Sequence, residues 1–91
     1  MSQATKYMSV LRELGFPSWK EFGRHLFEEI PQDENGTLSA TQIRSYIHYS
    51  FGLDEQRAGE FFKALRDIGI IEAGGSDKDR YSLHGNVKGR K

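Results

Sequence analysis

The sequence predicts an α+β fold that is mostly helical, with four helices and one small antiparallel hairpin. Three observations carry this. Apolar residues recur at the i, i+3, i+4, i+7 spacing of a buried helical stripe in four segments. Capping signals open three of those segments. A β-branched pair and an alternating run then flank a glycine-containing turn toward the C-terminal end.

Thr5 to Leu14 reads as the first helix, with Tyr7, Met8, Leu11 and Leu14 on one stripe and Gly15 as its stop. It either packs on the domain or supports dimerisation. Ser18-Trp19-Lys20-Glu21 is a capping box. Trp19, Phe22, Leu26 and Ile30 continue its stripe, Phe27 lies beside it, and Pro31 ends the helix. Aromatic residues at helical spacing face a core. Gln32 to Gly36 is a polar loop, and Thr37 and Leu38 are expected to form a short edge strand.

Ser39-Ala40-Thr41-Gln42 is a second capping box. Ile43, Tyr46 and Ile47 carry the buried face of the helix it opens, with Arg44 and His48 on another face. Tyr49 and Phe51 are expected to finish the packing, and Gly52 to supply the turn. Asp54 caps the last helix. Its stripe is Ala58, Phe61, Phe62, Leu65 and Ile68, and Gly69 closes it. Ile70 and Ile71 begin a strand, and Gly74 to Asp79 form a turn-rich tip. In Arg80 to His84, Tyr81 and Leu83 share one face, while Arg80, Ser82 and His84 share the other.

Composition sets limits. Ninety-one residues make one small domain, and one Trp, four Tyr and six Phe are available to fill its core. The absence of cysteine excludes disulfides and Cys-based zinc sites. No run is long and apolar enough for a transmembrane helix, and the start lacks a signal-peptide core. Thirteen basic and thirteen acidic residues cancel. Their layout is uneven: Glu28, Glu29, Asp33 and Glu34 cluster, and Asn35 to Leu53 holds no carboxylate. Lys78, Arg80, Lys88, Arg90 and Lys91 near the end outnumber Asp77 and Asp79.

The order from Ser18 to His84 is helix, short strand, helix, and a helix running straight into a polar-tipped hairpin. This order resembles the winged-helix family of DNA-binding domains. The resemblance implies a winged-helix core over residues 18–84, with one extra N-terminal helix over 5–14. A two-stranded β-wing would end the core, followed by a flexible basic tail over 85–91. It further implies binding of double-stranded DNA without chemistry.

The last helix would enter the major groove. There Gln56 suits an adenine edge, Arg57 a guanine edge and Glu60 a cytosine amino group, with Lys63 beside them. Lys78 and Arg80 on the wing would meet phosphates or an adjacent minor groove. Ser39 and Thr41 stand at a helix N-terminus suited to a phosphate. Arg44 and Lys88 complete the expected contact set. Gly59 is out of place in a helix interior. It lets either DNA or a neighbouring helix, the one beginning at Ser18, approach closely.

The expected role is a small transcriptional regulator or an accessory protein of a plasmid, phage or virus. Its expected place is the cytoplasm with the nucleoid, the interior of a host cell or the nucleus. A homodimer through the first helix would suit a palindromic target. The alternative is a protein–protein interaction module on the same scaffold, favoured by the zero net charge and the acidic share of the last helix.

Two other classes are set aside. Pro31 to Gln42 resembles a calcium EF-hand loop, with Asp33, Asn35, Gly36, Thr37 and Ser39 at its third, fifth, sixth, seventh and ninth places. Pro31 and Gln42, however, stand where anionic ligands are needed. His25, His48 and His84 have no metal or catalytic spacing, and no nucleophile elbow or phosphate loop occurs. No enzyme, metal or cofactor is expected.

Overall fold

The computed structural model describes residues 3–74 and 79–85. In chain order the elements are α1 (Gln3–Lys6), α2 (Met8–Glu13), α3 (Trp19–Glu29), β1 (Leu38–Ser39), α4 (Ala40–Phe51), α5 (Glu55–Asp67), β2 (Ile71–Ala73) and β3 (Arg80–Leu83). The fold is α+β and mostly helical, with a small three-stranded antiparallel sheet.

Side-chain caps set where the longer helices start. Ser18 Oγ accepts from the Glu21 amide at 3.3 Å. Ser39 and Gln42 satisfy each other's amides at 3.0 and 2.9 Å. The Asp54 carboxylate accepts from the Arg57 amide at 2.7 Å. Each bond occupies an N–H that the helix itself leaves without a partner. Gly52 ends α4 in the left-handed region, at φ +72°.

The first predicted helix is broken in two at Tyr7. In a continuous helix the Ala4 carbonyl would accept from the amide four residues on. Instead it accepts from the Trp19 indole N–H at 3.0 Å. The Tyr7 ring turns inward against Phe61, 5.2 Å between centroids. Tertiary contacts thus override the local pattern.

The sheet order is β1-β3-β2, both pairings antiparallel. β1 is Leu38–Ser39, one residue later than expected, because the Thr37 amide and carbonyl are bonded to Asp33 of the preceding loop. Phe22 sits at the centre of the core, with the rings of Phe16, Trp19, Phe51 and Phe61 around it at 5.0 to 5.8 Å. Such pairs add roughly 0.5–1.5 kcal/mol each beyond area burial.

Two expected core residues lie outside. Ile68 is 42% exposed, because α5 ends at Asp67 and the stripe stops there. Tyr49 is 80% exposed. It follows buried Ile47 by two residues, about 200° around the helix. By contrast Ile70 and Ile71 are both buried. Ile70 closes on Gly23 of α3, where an added Cβ would collide with Ile70 Cγ2. The close approach of α3 to the hairpin therefore requires glycine at that point.

Candidate nucleic-acid interface

α5 buries Ala58, Phe61, Phe62, Ala64 and Leu65, and leaves Gln56, Arg57, Lys63, Arg66 and Asp67 outside. Its two flanks differ. On one, the Tyr7 hydroxyl donates to Glu60 Oε1, while Gln56 Nε2 reaches Glu60 Oε2 at 3.4 Å. The Tyr7 hydrogen bond is the main cause holding the Glu60 carboxyl below its usual range. The same bond, with burial, pushes the Tyr7 phenol up. Glu60, expected to meet a cytosine, is half-buried and bonded to Tyr7. Arg57 lines a cleft of about 440 Å³ on this flank with Lys6, Tyr7, Val10, Asp54 and Gln56.

The other flank faces α4 and β3. Phe62 is buried and meets Tyr81 of β3 edge-on, 5.1 Å between centroids. The guanidiniums of Arg44 and Arg66 lie over the Phe62 ring at 5.5 and 5.7 Å, and Arg66 also lies 5.8 Å from the Tyr81 ring. Cation–π contacts at exposed sites contribute about 0.5–1 kcal/mol each and hold both cations in place. Lys63 stands on the same side of α5 by helical spacing, four residues after Gly59 and three before Arg66. Among the described residues, none of Arg44, Lys63 and Arg66 forms an ion pair. Carboxylates bracket this surface, Glu55 at the start of α5 and Asp67 at its end.

The expected set is thus divided. Arg44 and Lys63 share the α4 side of α5, whereas Arg57 and Glu60 lie toward α1. Arg66 was not in that set. Its sequence signal was the i, i+4, i+7 relation of Gly59, Lys63 and Arg66. Phe62, four residues earlier in α5, and Tyr81, fifteen residues further on, place it together, and spacing within α5 does not reveal the second ring.

Arg80 is a clasp rather than an outward arm. Its Nε donates to Thr37 Oγ1 and its Nη2 to the Thr37 carbonyl, both at 3.1 Å, and Nη2 lies 3.2 Å from Asp33 Oδ2. Asp33 in turn accepts from the amides of Asn35 and Thr37 and from the Thr37 hydroxyl. The bonds from Thr37 are the first cause holding the Asp33 carboxyl below its usual range. The loop that resembled a calcium site is built on these bonds.

At the start of α4, Ser39 Oγ caps the Gln42 amide, and the Ala40 amide donates to the Asp79 carbonyl at 3.0 Å. A phosphate would find fewer open amides there than the sequence implied. Ser39 keeps its hydroxyl hydrogen to donate, and Thr41 is exposed. Lys78 and Lys88 lie outside the described residues, as does the rest of the tail beyond Gly85.

The histidines are dispersed. His25 Nε2 is 2.9 Å from the Tyr46 hydroxyl, His48 Nδ1 contacts the Leu53 carbonyl, and His84 lies 3.9 Å from Glu72. Among the described residues, no three His, Asp or Glu side chains gather to hold a metal. No helix there is long and apolar enough to cross a membrane. The chain matches no family model, no curated protein and no solved structure.

Proposed function

We propose that the chain is a winged-helix domain that binds double-stranded DNA through α5. The element order α3–β1–α4–α5–β2–β3 and the strand order β1-β3-β2 support the scaffold. In it, α4 and α5 form the helix pair and β2–β3 the wing. The observation that carries the DNA reading is the convergence of Arg44, Lys63 and Arg66 on one side of α5, without ion-pair partners among the described residues.

A formally neutral chain presents a local basic surface in this way. Between Glu55 and Asp67 the remaining carboxylate of α5, Glu60, is held toward α1 by Tyr7. α5 would lie in the major groove with its α4-facing side toward the duplex. Arg44, Lys63, Arg66 and Thr41 would meet the sugar–phosphate backbone.

The role would be that of a small transcriptional regulator or accessory protein. A homodimer through the N-terminal segment would have to use its polar side. Tyr7 and Leu11 of its stripe are buried within the same chain, and Met8 and Leu14 are half-buried.

Duplex binding measured across a salt series tests this. About three phosphate contacts give a slope of log affinity against log salt near −2.7, and Arg66→Ala should reduce its magnitude by about 0.9. A flat salt dependence, or no duplex binding at low salt, contradicts the proposal.

One observation favours a different reading, a protein partner. Tyr49, 80% exposed, borders a cleft of about 340 Å³ with Arg44, His48 and Glu55. Tyrosine and arginine are enriched among residues that dominate protein interfaces. Salt-independent binding of a protein at that cleft would support it.

A further inference from the structure

A glycine inside a helix costs about 1 kcal/mol relative to alanine. α5 carries one at Gly59, in the helix interior. The reason is not found within the described chain. An added Cβ would meet only Arg44 Cδ, at 3.8 Å, which is ordinary contact. Its φ is not positive, so the backbone does not demand glycine either. Alanine fits this site without rearrangement.

Three basic side chains border the gap, and Glu55 stands one turn before it. Arg44 reaches it from α4, and Lys63 and Arg66 follow at i+4 and i+7 along α5. Arg44 and Arg66 are both fixed over Phe62, one turn from Gly59.

We propose that Gly59 is the point where the phosphodiester backbone of one DNA strand lies against α5, between Arg44 on one side and Lys63 and Arg66 on the other. The missing methyl lets the strand come closer to the helix by about one carbon–carbon bond length, roughly 1.5 Å. Closer seating brings successive phosphates of that strand within reach of the three cations. This inference rests on the DNA reading and names the contact within it.

The test compares wild type and Gly59→Ala by thermal melting and by binding of a fluorescent random-sequence duplex in a salt series. Gly59→Ala is expected to melt higher yet bind the duplex about tenfold more weakly. Its salt slope should fall by about 0.9, the share of one phosphate contact. Wild-type affinity and slope in the alanine variant would overturn the inference while leaving the DNA reading intact. A lower melting temperature would also overturn it, because the glycine would then serve the fold. Absence of salt-dependent duplex binding by the wild type would overturn both.

Discussion

Gly23 in α3 and Gly59 in α5 are both glycines in helix interiors, and the structure treats them differently. At Gly23 the space for a methyl is already occupied by Ile70, so two elements close on each other and the core is sealed. At Gly59 that space is open apart from an ordinary contact with Arg44. The fold itself accounts for Gly23. Gly59 instead faces outward, toward a surface where three cations gather. The same residue type is a packing device on one helix and, in our proposal, a contact surface on the other.

The sharpest way to break the comparison is at Gly23. Gly23→Ala should destabilise the protein by about 2 kcal/mol in denaturant titration, since Ile70 is β-branched and cannot swing its Cγ2 aside without strain. Adding Ile70→Ala should make the double variant less unstable than the sum of the two single changes. Simple additivity would show that the seat of Ile70 against Gly23 does not govern this site.

A smaller loss is expected at the Asp33 clasp. Its carboxyl is held low in the fold, so its stabilisation is present in full above the unfolded value of about 4. That stabilisation should fade as the pH drops through the lower native value. Asp33→Asn should lower the melting temperature at neutral pH and flatten its acid dependence. An unchanged acid limb would remove Asp33 from the explanation.

Gly59→Ala should reverse the sign, gaining roughly 0.5–1 kcal/mol in the same titration. Least of all, Tyr49→Ser should change stability by no more than about 0.5 kcal/mol, because the ring is largely in water.

Much of the fold was legible because its signals are local. Ser18, Ser39 and Asp54 cap helices where their spacing says they should, and Phe22, Ile43, Ile47, Phe61 and Leu65 face inward as their periodicity implies. What escaped depends on partners distant in sequence. Tyr7 breaks its helix because Trp19 takes the Ala4 carbonyl. Arg80 is tied down by Thr37 and Asp33, more than forty residues earlier. Arg66 gains a second ring from Tyr81 beyond that of Phe62, and Glu60 is drawn aside by Tyr7. The two helix-interior glycines are alike in sequence. Only the position of Ile70 separates them.

The central claim is that the α4-facing side of α5 receives duplex DNA. Nitrogen-15 NMR of the whole protein, titrated with a short duplex at low salt, tests it most directly. The account predicts the largest shifts at Arg44, Gly59, Lys63 and Arg66, reversed by added salt. Shifts confined to α2 and α3, or none at any duplex concentration, would contradict it.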